Sequence, residues 1–124
     1  MIKVNHIYKT FGTKASSLEI LSNVSLSVSK GSWVSIVGPS GSGKSTLLNI
    51  ISGLLQPNDG NVFFNNLDLY KLKAKERSNI RRKKIGFVFQ DFKLLPYYSV
   101  LDNVTLPRYD EKAKGTLYKR AKEL

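Results

Sequence analysis

The sequence has 124 residues, 41% of them hydrophobic, a formal net charge of +11 and no cysteine. That length suits one domain and is too short for two. The composition is that of a globular chain rather than a disordered one, and the missing thiols exclude disulfides and thiolate-bound metals. No apolar run approaches the ~18–20 residues of a membrane-crossing helix, and the longest, Ile50 to Leu55, is broken by Ser52 and Gly53. The opening MIKVNHIYKT is not the continuous apolar stretch of a secretory signal. A basic chain attracts polyanions, but this charge gathers between Lys71 and Lys84 and between Lys112 and Lys122, a pattern that solvated helix faces commonly produce.

In chain order, Ile2, Val4 and the Ile7–Tyr8 pair predict a short first strand. Val24, Leu26 and Val28 alternate with Ser25, Ser27 and Ser29, the period-two pattern of a half-buried strand. After the Lys30-Gly31 turn, Trp33 to Val37 reads as a more fully buried strand. Gly38 to Gly43 is a glycine-rich loop, and Leu47, Leu48, Ile50, Ile51, Leu54 and Leu55 then recur at helical spacing for about three turns. Pro57 and Asp59-Gly60 supply turn chemistry. Val62-Phe63-Phe64 and Ile85 to Phe89 are further predicted strands, with a basic surface helix and loops between Leu69 and Arg82. Leu117, Ala121 and Leu124 stand at i, i+4 and i+7 with no stop signal after them, so the chain is expected to be cut inside a helix.

One motif carries chemistry. Gly38-Pro39-Ser40-Gly41-Ser42-Gly43-Lys44-Ser45 fits G-x-x-x-x-G-K-[ST], followed by Thr46. Glycines let successive N–H groups turn inward as an anion-binding nest, and the helix start adds unsatisfied donors and a partial positive charge. In such a loop Lys44 meets the β- and γ-phosphates, and the Ser45 hydroxyl is offered to Mg²⁺. A plain strand–helix turn would have no use for a lysine at the mouth of the helix.

Around this loop, GPSGSGKSTLLNIISGL resembles the Walker A region of ABC-transporter nucleotide-binding domains. IGFVFQDFKLLPYYSVLDNV resembles the strand and Q-loop of the same family, with Phe89-Gln90, Leu95-Pro96 and a Ser99-Val100-Leu101-Asp102-Asn103-Val104 helix start. The wording is closest to the branch serving lipoprotein release, macrolide export and antimicrobial-peptide export. The resemblance implies an α/β P-loop NTPase fold (a RecA-like core) with an N-terminal antiparallel β portion, of which residues 1–124 would be the incomplete N-terminal part of a single domain. It implies ATP and Mg²⁺ as cofactors, with Gly38, Pro39, Ser40, Gly41, Ser42, Gly43, Lys44, Ser45 and Thr46 around the phosphates and Ser45 on the metal. Gln90 would touch Mg²⁺ and the attacking water as the catalytic and coupling residue, the alternative being a polar residue that ends a strand. Phe11 would stack on adenine, where tyrosine is more usual, the alternative being a core aromatic at a strand end.

The departures are as informative. No LSGGQ-like signature occurs, and no run of four apolar residues ends in Asp-Glu, so the Walker B acid and catalytic glutamate are not found. The lone histidine, His6, is too early to be the switch histidine and reads as structural. Phosphoryl transfer depends on positioned charge, so this chain alone is expected to bind nucleotide better than to turn it over. The leading reading is the ATPase subunit of an ABC transporter, peripheral on the cytoplasmic face of the cell membrane, with a transmembrane permease and a second nucleotide-binding subunit as partners and no nucleic acid. The competing readings are a soluble ABC-type ATPase acting on nucleic acid or the ribosome, favoured only by the charge, and a non-catalytic ATP-binding fragment.

Overall fold

The computed structural model describes residues 1–13, 15–91, 93–106 and 114–123. The chain divides into two compact units, Met1–Asn79 and Ile80–Leu124.

The first unit is built on two long strands, β1 (Ile2–Thr13) and β2 (Ser16–Val28), which pair antiparallel as a hairpin. A helix, α1 (Lys44–Ile51), follows, and then strands β3 (Asp59–Phe64) and β4 (Leu67–Asp68) complete an antiparallel sheet in the order β2-β1-β3-β4. The antiparallel portion expected near the N-terminus is present, and its first strand is far longer than the apolar pattern predicts. The buried apolar set is Val4, Ile7, Leu21, Leu47, Ile50, Val62 and Leu69.

Val4 and Ile7 are three residues apart, yet both are buried; strict alternation would send them to opposite faces. A β-bulge resolves this. Val4 pairs with Leu26 and Ile7 with Val24, so Asn5 and His6 together oppose the single residue Ser25. His6 takes a left-handed φ of 49°, its N–H donates to Ser25 Oγ at 2.9 Å, and its Nδ1 lies 2.8 Å from Asn23 Oδ1. Asn23, at φ 53°, is the extra residue of a compensating bulge on β2, since Ile7–Lys9 spans two positions against Val24–Leu21. His6 is therefore structural in this unit.

The bulge also meets β3, where Asn5 pairs with Asn61 and Tyr8 with Asp59, leaving Gly60 opposite His6 and Ile7. Gly60 has φ 94°, and a Cβ there would stand 2.3 Å from the His6 carbonyl oxygen and 2.6 Å from that of Asn5. Only a glycine fits.

Helix α1 buries Leu47 and Ile50 and ends after two turns rather than three. Gly53 N–H bonds to the Ile50 carbonyl at 3.0 Å and Leu54 N–H to that of Asn49 at 2.9 Å, a Schellman closure that turns the chain away before Leu54 and Leu55 can continue the stripe. The Tyr70 hydroxyl lies 2.6 Å from both the Ile50 and Leu55 carbonyl oxygens, donating to one at a time across the same turn. Asp68, buried beside it, accepts from Asn61 Nδ2 at 2.9 Å and Tyr70 N–H at 3.0 Å.

Two predicted strands do not form. Residues 33–37 carry no ladder, and Trp33 and Val37 are 99% and 87% exposed. Residues 85–89 are likewise irregular, with Val88 exposed and Phe87 and Phe89 in ring contact. Apolar, β-branched runs become strands when neighbours take up their backbone bonds and cover both faces; among the described residues the sheet consists of β1 to β4 alone.

The basic surface helix is α2 (Ala74–Lys84), which buries no side chain. In the second unit, α3 (Val100–Thr105) packs against α4 (Lys114–Lys122). Ser99 caps α3 by accepting from Asp102 N–H at 3.1 Å while donating to its carboxylate at 2.6 Å. Asn103 ties down the preceding loop: its Oδ1 accepts from Leu95 N–H at 2.8 Å, and its Nδ2 lies near the carbonyls of Leu95 and Ser99 at 3.1 and 3.0 Å. Helix α4 realises the expected periodicity through Leu117 and Ala121, while Leu124 lies outside the described residues.

Gly60→Ala is expected to lower stability by at least about 1–2 kcal/mol, the cost of a side chain in the left-handed region before its clash with β1 is added. Urea unfolding followed by far-UV circular dichroism measures this, and an unchanged midpoint would contradict the bulge account.

Candidate functional site

The glycine-rich loop, Gly38 to Gly43, continues the irregular stretch that begins at residue 32 and leads into α1. Gly43 is the N-cap of α1, in the left-handed region at φ 85° and ψ 5°, with no side-chain hydrogen bond at the cap. A Cβ at this position would meet the Ile20 carbonyl oxygen and Leu21 Cδ2 on β2, both at 2.9 Å. The helix therefore starts hard against the sheet, and a glycine is what allows it. The first helical bond runs from Leu47 N–H to the Gly43 carbonyl at 2.8 Å. The amides of Lys44, Ser45 and Thr46 precede that bond, and the first turn holds no acidic residue. Orphan donors and the positive end of a helix dipole favour an anion at such a helix start.

Lys44 is half-buried and folds back over the loop. Its Nζ donates to the Gly38 carbonyl at 2.9 Å and the Pro39 carbonyl at 2.7 Å, with Ser42 Oγ at 3.4 Å. Ser42 N–H reaches back to the Pro39 carbonyl at 3.3 Å. The ammonium is thus centred on the loop by carbonyl dipoles, the position from which a point cation meets phosphate oxygens. Ser40, Gly41, Ser42 and Ser45 are exposed, and Thr46 is half-buried.

Among the described residues no cluster of three or more His, Cys, Asp or Glu is present. A divalent ion would here rest on hydroxyl, amide-carbonyl, phosphate and water oxygens, a donor set that suits Mg²⁺ better than an all-protein cage. The free Ser45 hydroxyl in the first turn of α1 fits that chemistry.

Phe11 lies near the end of β1, opposite Leu18 on β2. It is 44% exposed, and so is no core residue. Lys9 Nζ stands 5.1 Å from its ring centroid. No motif includes Lys9; the signal for it is strand alternation, which puts residues 9 and 11 on one face of β1. Gln90 is exposed in the turn after residues 85–89 and belongs to the second unit, whereas the loop, Lys9 and Phe11 belong to the first. Beside it, the Lys93 ammonium pairs with Asp91 and holds its carboxyl below the usual carboxylate range.

No helix among the described residues is long and apolar enough to cross a membrane. Residues 21–124 match the family described as ABC transporter. The chain is 48% identical over 107 residues to an uncharacterized ABC transporter ATP-binding protein of Methanocaldococcus jannaschii, covering 86% of this chain and 46% of that one. It is 46% identical over 109 residues to the lipoprotein-releasing system ATP-binding protein LolD of Bacteroides thetaiotaomicron, covering 88% and 48%. The macrolide export ATP-binding/permease protein MacB of Campylobacter fetus is 43% identical over 125 residues, covering 100% of this chain and 20% of that one. The last two relatives carry the names of the lipoprotein-release and macrolide-export branches expected from the sequence. The solved dimeric structure of the M. jannaschii cassette, in a post-hydrolysis state with ADP and Pi, superposes with a TM-score of 0.89 at 43% identity, covering 99% of this chain and 55% of that chain. The chain spans less than half the length of the first two relatives. A P-loop built on an uncapped helix start, the family match and the fold agree: the chain belongs to the ABC transporter family, among its ATP-binding cassettes.

Proposed function

We propose that this chain binds MgATP at Gly38 to Thr46 and serves in a subunit that couples ATP binding and hydrolysis to transport by a membrane permease. The observation that carries the reading is the start of α1, where uncapped amides and the centred Lys44 ammonium converge on one exposed loop. The amides from Gly41 to Thr46 hold the phosphate chain, Lys44 neutralises the β- and γ-phosphate oxygens, and Phe11 offers its ring to adenine. When bound, Mg²⁺ would supply charge neutralisation across the phosphates, with Ser45 and Gln90 as its protein ligands. Gln90 also orients the attacking water and relays nucleotide state to the permease.

A second cassette completes an ATP sandwich, and the pair works peripherally on the cytoplasmic face of the membrane. The dimeric form of the M. jannaschii cassette and the export roles in the relatives' names support these partners. Hydrolysis belongs to the complete domain, because this chain offers no glutamate after an apolar run to act as base. Its net charge of +11 favours polyanions in general and points to no nucleic-acid site.

Lys44→Ala is expected to weaken ATP binding by about 10- to 100-fold, the loss of charge-assisted hydrogen bonds, with an unchanged circular dichroism spectrum. Titration calorimetry reads this directly, and equal affinities would overturn the assignment of the loop. Phe11→Ala should weaken ATP binding by about 1–3 kcal/mol, the worth of base–aromatic stacking, while Phe11→Tyr keeps it. If all three side chains gave the same affinity in equilibrium dialysis, Phe11 would have no part in the site.

A further inference from the structure

We propose that Lys9 is a positioning residue for the adenine-stacking ring of Phe11, an inference that rests on the nucleotide-binding reading above. Lys9 and Phe11 are two residues apart on β1, so their side chains rise from the same face of the strand. The Lys9 ammonium is not free to wander: it donates to the Gln56 carbonyl at 2.9 Å. That carbonyl is itself held in place, because the neighbouring Asn58 bonds to β1 twice. Asn58 N–H donates to the Tyr8 carbonyl at 2.9 Å, and Thr10 N–H donates to Asn58 Oδ1 at 2.8 Å. A backbone-anchored cation thus lies 5.1 Å from the Phe11 centroid, inside the range at which a ring quadrupole attracts it.

Two consequences follow for a ring that is 44% exposed. The cation restricts the rotation of Phe11 before any base arrives, so less ordering entropy is lost on binding. It also draws electron density toward its own face, which leaves the remaining π surface more attractive to an electron-rich purine. Lys9 acts through Phe11 and needs no contact with phosphate. Affinity for the triphosphate chain alone should therefore be indifferent to it.

The test compares ATP with inorganic tripolyphosphate, by calorimetry on the full chain. Lys9→Met is expected to weaken ATP about two- to fivefold, the worth of an exposed cation–π contact, and to leave tripolyphosphate affinity unchanged. That unchanged affinity also certifies the fold. Lys9→Arg, which keeps the cation, should restore ATP binding, and in a Phe11→Ala background Lys9→Met should have no further effect. Parallel loss of ATP and tripolyphosphate would show that Lys9 acts as a phosphate cation or as a fold element, and would overturn the proposal. So would a full additional loss in the Phe11→Ala background. If Phe11→Ala alone left ATP affinity unchanged, the stacking reading would fail and this proposal with it; if Phe11→Ala weakened ATP and Lys9→Met did not, only the role of Lys9 would fall.

Discussion

The closeness of α1 to β2 is the constraint on which the rest of the first unit depends. At Gly43 the gap is so narrow that a single added carbon would sit 2.9 Å from the backbone and side chain of Ile20 and Leu21. Contact this tight fixes where the helix starts. Fixing the start fixes where the amides of residues 44–46 emerge, and amides at a helix start are donors of the kind that suit a phosphate. The same residue, by taking a left-handed φ, reverses the chain so that the preceding loop folds back over the helix end and Lys44 can reach the Gly38 and Pro39 carbonyls. Close packing and the placement of these amides are thus two results of one missing side chain.

The sheet supplies the rigidity that such a contact needs. Bulges at His6 and Asn23 offset each other between Val4 and Lys9 and turn both Val4 and Ile7 into the core. Gly60 lets β3 close against the bulged strand, and Tyr70 closes the far end of α1. The far end of the hairpin stays outside the core and carries Phe11 with Lys9 beside it. One face of β1 is therefore buried at its start and exposed at its end.

Much of this was legible in the residues. The G-x-x-x-x-G-K-S spacing located the loop and the start of α1, because only one geometry uses those residue types in that order. The alternation of Val24, Leu26 and Val28 located β2, and Ser99 with Asp102 marked the start of α3. What the residues did not display were effects of pairing. The bulge at His6 depends on β2 and β3 together, so Val4 and Ile7 looked like parts of an ordinary short strand. The end of α1 at Gly53 was hidden by Leu54 and Leu55, whose spacing continues the helical stripe after the backbone has left it. Trp33–Val37 and Ile85–Phe89 have strand composition without strand partners among the described residues, and composition cannot report a neighbour. No local pattern marks Lys9, because its contacts are with a ring two residues on and a carbonyl 47 positions away.

The central claim is that backbone amides at the start of α1, presented by Gly43, receive the phosphates of ATP. Amide resonances of a uniformly ¹⁵N-labelled chain, followed by heteronuclear NMR during titration with MgATP, test it most directly. The account predicts the largest downfield shifts at Gly41 to Thr46, with saturation at the same ATP concentration as the calorimetric isotherm. Binding accompanied by shifts elsewhere and none in that segment would contradict it.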